Sequence, residues 1–186
     1  DYLQDEMRYQ LEHSDCVLVV SISNRVRDCQ DASALTPGKP PVVDCYDLPD
    51  ALPEPAPAPL SGPLTEDTEA AMLYTSGTTG RPKGCILTNL YFIESGTSYT
   101  SLSGQAEMFP DTERVFNPLP LFHMNALAVT ATGMMIIGGC LVTPDRFHPG
   151  SWWQDLAETR ATVFHYLGVV PPMLLNAPPK PDDRDH

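Results

Sequence analysis

Short apolar runs, separated by helix-length segments, constrain this 186-residue chain more than any other feature. Val17-Leu18-Val19-Val20 is continuously apolar, the pattern of a strand covered on both faces in a parallel sheet. Leu3, Met7 and Leu11 ahead of it fall at helical spacing and predict an amphipathic helix that stops near Ser14-Asp15. Val42-Val43 reads as the next strand, and residues 70–74, 85–87, 115–122, 141–142 and 161–166 read as five more. Between these, Thr88 or Asn89 caps a helix starting at Leu90, and an apolar helix over 125–137 stops at Gly138-Gly139. Ser151 caps a helix through Thr159 with Trp152, Trp153 and Leu156 inward, and Pro171-Pro172 opens the last one. Strands alternating with helices predict an α/β fold, a mostly parallel β-sheet flanked by helices.

Composition adds the organisation. The chain has 20 prolines, and nine lie within residues 37–63, which mark an extended surface connection rather than core. The expected division is an acidic α/β segment over 1–48, a proline-rich linker over 49–63, and a remainder over 64–186. The net charge is −13, of which residues 1–70 hold −10. With no basic stripe, the chain is unsuited to a nucleic-acid backbone, so any phosphate must be held locally. Five cysteines with no C-x-x-C pair read as reduced thiols and point to the cytoplasm. Cys85 reads as a small core residue. No signal peptide is visible, and a chain opening at Asp1 without Met reads as cut from a longer one. The uncharged stretch from Arg114 to Asp145 is broken by Pro118, Pro120, His123 and Asn125, which favours a buried strand–helix–strand over a transmembrane segment.

The chemistry concentrates in Tyr74-Thr75-Ser76-Gly77-Thr78-Thr79-Gly80-Arg81-Pro82-Lys83-Gly84. Gly77, Gly80 and Gly84 allow tight turns and let backbone N–H groups approach an anion. Thr75, Ser76, Thr78 and Thr79 add hydroxyl donors, and Lys83 adds a compact positive charge. Such a cradle suits a polyphosphate. It is not a Walker A loop, because Lys83 precedes Gly84 and Cys85 follows, and a strand–loop–strand setting is expected. A second segment, Asn117-Pro118-Leu119-Pro120-Leu121-Phe122-His123-Met124-Asn125, interrupts an apolar stretch with two prolines, a histidine and two asparagines. On its own, His123 there reads as a buried histidine satisfied by backbone, and only the glycine- and hydroxyl-rich loop upstream turns the reading toward a pocket residue.

The loop T-S-G-T-T-G-R-P-K-G resembles the phosphate loop of the adenylate-forming superfamily, which includes acyl-CoA synthetases and peptide-synthetase adenylation domains. The resemblance implies part of that superfamily's large domain. It also implies the activity: ATP and a carboxylic acid form an acyl-adenylate and pyrophosphate, and the thiol of coenzyme A then displaces AMP. Thr75, Ser76, Gly77, Thr78, Thr79, Gly80 and Lys83 would wrap the ATP phosphates, with Mg²⁺ assisting. The P-L-F-H segment is similar to the one bordering the family's acyl pocket, so the resemblance places His123 and Asn125 at the acyl gate, while Tyr166 and Gly168 read equally as lining of that pocket or as core. His123 stands where peptide-synthetase domains carry an Asp after Phe, which favours a simple carboxylic acid over an amino acid. Trp152-Trp153 and the chain's acidic, proline-rich end look most like carnitine/crotonobetaine-CoA ligases.

The resemblance has gaps. The family often has His after the V-x-x-[ST] that follows the loop, where this chain has Asn89. Residues 1–186 stop before the family's adenine, magnesium and ribose motifs and before its C-terminal domain. No complete catalytic set and no metal ligands are therefore expected here. Residues 1–186 alone should be inactive, and an incomplete sheet should leave open edges that favour self-association. The competing expectation is a non-catalytic nucleotide- or partner-binding module that retains only the loop.

Overall fold

The computed structural model describes residues 4–48, 50–54, 62–75 and 80–178. The chain divides into two compact units, residues 1–63 with 75–84, and residues 64–74 with 85–186. In the first unit, helix α1 (Gln4–His13) precedes strand β1 (Val19–Ser21), helix α2 (Val26–Ala34) and strand β2 (Val42–Asp44). The two strands run parallel, with Val19 opposite Val42. Ala32 and Val43 are buried between α2 and the strands. The Ser33 hydroxyl donates to the Pro40 carbonyl at 2.6 Å and fixes the turn between α2 and β2. The prediction that residues 17–20 are covered on both faces fails, because Val17 is 84% and Val20 49% exposed. A two-stranded sheet with one helix beside it covers one face only.

Strand β3 (Glu69–Thr75) pairs with β4 (Lys83–Thr88), the strand–loop–strand setting predicted for the phosphate-loop sequence. Cys85 on β4 is exposed, not core, and Ile86 beside it is 52% exposed. Thr88 ends β4 and caps helix α3 (Asn89–Thr100), its hydroxyl accepting from the Tyr91 N–H.

The second unit is built on a parallel sheet of β5 (Arg114–Phe116), β6 (Cys140–Val142) and β7 (Val163–Phe164) in the order β6-β5-β7. Its central strand explains the layering. Val115 and Phe116 are consecutive, so their side chains leave on opposite faces. Val115 packs with Met108 and Met134, joined by Tyr99, Ile137 and Leu141, on the α3 and α4 side. Here α4 is Thr132–Ile137, continuing from a π-helix over Asn125–Ala131. Phe116 packs with Trp152, Leu156 and Val170, from α5 (Trp152–Thr159) and α6 (Val170–Leu175). Helices on both faces of a parallel sheet give the predicted α/β class.

Several boundaries follow from local chemistry. Gly138 closes α4 in the left-handed region at φ 69, where a side chain would be strained. Gly96 of α3 lies so close to α4 that a Cβ would meet the Gly133 nitrogen at 2.9 Å, which lets the two helices touch backbone to backbone. The expected strand over 115–122 ends at Phe116, because Asn117 turns its side chain back on the chain and Pro118 and Pro120 have no N–H for a ladder. Similarly, the last strand is two residues long and not six. Glu113, just ahead of β5, is buried and uses both carboxylate oxygens. One accepts from the Phe109 N–H at 2.9 Å and the other from the Thr162 hydroxyl. Among the described residues no helix is long and apolar enough to cross a membrane.

Candidate functional site

In the first unit, Thr75 ends β3 and Lys83 begins β4, with Gly80 between them, and all three are exposed. Gly80 has φ 145, a conformation that side chains rarely adopt. Ser76, Gly77, Thr78 and Thr79 lie outside the described residues. Among the described residues Lys83 makes no ion pair, so its ammonium is available to an anion. The flank of the loop is held by α1. The Tyr9 hydroxyl donates to the Pro82 carbonyl at 3.1 Å, and the Arg81 guanidinium lies 5.1 Å from the Tyr9 ring centroid. A cavity of about 400 Å³ is lined there by Asp5, Glu6, Tyr9, Glu12, Arg81 and Pro82, among others.

In the second unit the other predicted residues follow the C-terminal ends of two neighbouring strands, β5 and β7. Parallel strands all end at the same edge, and in open α/β sheets that edge is where ligands sit. The chain leaving β5 carries His123 and Asn125, and the chain leaving β7 carries Tyr166 and Gly168. His123 is exposed, with its ring 4.7 Å from that of Phe122, so the buried-histidine alternative does not hold. Tyr166 is 55% exposed and Gly168 has open space around its Cα. Asn125 is half-buried and opens the π-helix. Insertions of the π type concentrate at functional sites, because the widened turn redirects side chains.

Sequence reasoning missed three residues at this edge. Asn117 is 1% exposed and hydrogen-bonds to Asn125 and Thr130. Tyr99 and His165 are joined across 66 residues, with the hydroxyl oxygen 2.6 Å from Nε2. The position of His165 directly after β7 was the available signal for it. Burial, reinforced by the Glu113 carboxylate, pushes the Tyr99 phenol up to about 12. Burial pushes the His165 imidazole below its usual value. Both groups are thus held neutral. The sign of the pH dependence follows from linkage. An unfolded tyrosine ionises near ~10 while the folded one does not, so stability falls as pH rises from ~10 toward ~12. An unfolded histidine protonates near ~6.5 while the folded one resists, so stability also falls as pH drops below that value. In Tyr99→Phe, urea denaturation should lose most of the alkaline decline and keep the acid one. An unchanged alkaline limb would contradict the assignment.

Among the described residues no group of three His, Cys, Asp or Glu side chains could hold a metal ion.

The family model for the AMP-binding enzymes matches residues 1–186. The chain belongs to the AMP-binding enzyme family. It is 35% identical over 179 residues to a sulfoacetate–CoA ligase of Cupriavidus necator, covering 93% of this chain and 34% of that protein. It is 33% identical over 130 residues to the medium/long-chain-fatty-acid–CoA ligase FadD6 of Mycobacterium tuberculosis, covering 70% of this chain and 21% of that one. Among solved structures, the inhibitor-bound N-terminal domain of FACL13 from Mycobacterium tuberculosis matches with a TM-score of 0.75 at 23% identity, over 95% of this chain and 44% of that one. An o-succinylbenzoate coenzyme A synthetase (MenE) from Bacillus subtilis, in complex with ATP and magnesium ion, matches with a TM-score of 0.73 at 21% identity, over 99% and 46%. The chain thus spans about a third of the length of the first of these ligases. The relatives named are ligases of other acids, which leaves the carnitine/crotonobetaine likeness without support.

Proposed function

We propose that this chain works as part of an ATP-dependent acid–thiol ligase. A carboxylate oxygen of the acid attacks the α-phosphorus of ATP and pyrophosphate leaves. The thiolate of coenzyme A then attacks the acyl carbon and AMP leaves. The observation that supports this reading most is the glycine- and hydroxyl-rich sequence set between paired strands β3 and β4, with Lys83, which pairs with no carboxylate among the described residues, at its end. Thr75, Ser76, Gly77, Thr78, Thr79, Gly80 and Lys83 would hold the β- and γ-phosphates and stabilise the departing pyrophosphate. His123, Asn125, Tyr166 and Gly168 would border the acyl pocket. Mg²⁺ would assist by neutralising charge on the ATP phosphates. On this reading, residues 1–186 by themselves are inactive.

The test is ATP–pyrophosphate exchange by the full-length protein with a panel of carboxylic acids, run from sulfoacetate to long-chain fatty acids. Acid-dependent exchange, followed by thioester formation when coenzyme A is added, is the expected result. Nucleotide binding with no exchange for any acid would leave a binding module instead.

A further inference from the structure

Resting on the ligase reading, we infer that the side-chain amide of Asn125 donates hydrogen bonds to an acceptor oxygen of the acid substrate, and that Asn117 is the positioning residue that turns it to do so. The argument follows the polarity of a buried network. The Leu119 N–H donates to Asn117 Oδ1 at 2.9 Å, so that end of the Asn117 amide is its oxygen. The Thr130 hydroxyl gives its only proton to the Asn125 backbone carbonyl at 2.9 Å. Its oxygen must therefore accept from Asn117, whose Nδ2 lies 2.9 Å away. Two independent contacts thus fix which way Asn117 faces, and both it and Thr130 are buried, at 1% and 0% exposure.

The second N–H of Asn117 meets the Asn125 side chain at 3.2 Å. Because Asn117 presents a donor there, Asn125 must present its oxygen. The Asn125 NH₂ is left on the far side of a planar amide, and no acceptor among the described residues takes it. Asn125 sits two residues after His123 and opens the π-helix, on the segment that follows the end of β5. A half-buried amide left with only its donors to offer selects an acceptor. In a ligase of carboxylic acids that acceptor is an oxygen of the acid, either its carboxylate or an anionic group on its tail such as a sulfonate.

Asn125→Asp isolates the idea. It keeps an oxygen for Asn117 to donate to and replaces only the remaining donor with an acceptor. In the full-length protein this change should raise KM for acid about tenfold or more and leave KM for ATP within about twofold, since hydrogen bonds to charged groups are worth that much. Asn125→Leu should raise it by a similar factor, and Asn117→Leu by less. Octanoate and sulfoacetate are the probes, with calorimetric binding of each in the absence of ATP as the readout independent of turnover. Equal weakening for both acids identifies the shared carboxylate as the acceptor, whereas weakening for sulfoacetate alone identifies the tail sulfonate. If wild type binds and turns over either acid and Asn125→Asp does so equally well, the assignment of Asn125 falls and the ligase reading stands. If wild type neither binds these acids nor supports exchange with any acid, both fall. A matching thermal midpoint for Asn125→Asp and wild type is expected, since its contact with Asn117 is kept.

Discussion

Replacing Lys83 by Ala in the full-length protein should lower acid-dependent ATP–pyrophosphate exchange by on the order of 10²-fold. The ammonium is exposed at the start of β4 and bound to no carboxylate among the described residues, so no ion pair among them depends on its charge. The chain around it is strongly acidic, with a net charge of −13, and a polyphosphate approaching it meets an unfavourable field except where a cation stands. Losing that cation should weaken the hold on pyrophosphate as it departs more than the hold on ATP at rest. Exchange rate should therefore fall by a larger factor than ATP affinity. Lys83→Arg keeps the charge but not the compact head, and should recover part of the rate. Arg81→Ala is the useful control, since Arg81 lies over the Tyr9 ring and is already engaged. Exchange that survives Lys83→Ala unchanged would remove Lys83 from the phosphate site.

How much of this was legible beforehand depended on the range of the interaction concerned. Signals that act within a few residues read true: Thr88 as a cap, Gly138 as a left-handed stop, and Pro171-Pro172 in the first turn of α6. Apolar runs located strands but overstated their length and burial. The segment from Val115 ends as a strand at Phe116, and Val17 is exposed beside a sheet of only two strands. The phosphate-loop sequence was legible as a pattern, because glycine, hydroxyl and lysine each have a local reason to be there. The π-helix was not legible. It is accompanied by the Thr130 hydroxyl reaching back five residues to the Asn125 carbonyl, a contact that no apolar periodicity announces. Nor could the pairing of Tyr99 with His165 be read, since only packing of α3 against the sheet brings them together. The proposal of His123 and Asn125 as acyl-side residues rests on resemblance, while the hydrogen-bond network around Asn125 is visible only in the fold.

The largest expected effect on stability belongs to Trp152, on the face of the sheet opposite α3. Its ring is 1% exposed and meets Phe116 and Phe147 at centroid distances of 5.3 Å and Phe164 at 5.5 Å. The contacts to Phe116 and Phe164 are edge-to-face, the favoured geometry for aromatic pairs. Trp152→Ala would remove the shared partner of three rings and leave a cavity between α5 and the sheet, at a cost of about 3–5 kcal/mol. Trp152→Phe should cost much less, about 1–2 kcal/mol, for a specific reason. The indole Nε1–H is buried with no acceptor among the described residues, so replacing it with a carbon edge forfeits no hydrogen bond and removes an unsatisfied donor. Amide exchange in the intact protein reads this locally. The N–H groups of Asn117 and His165, bonded to the Val142 and Phe116 carbonyls, should lose protection strongly in Trp152→Ala and weakly in Trp152→Phe. Equal losses in the two variants would mean that the indole N–H has a partner after all, and that the ring's edge contacts contribute less than its hydrogen bond.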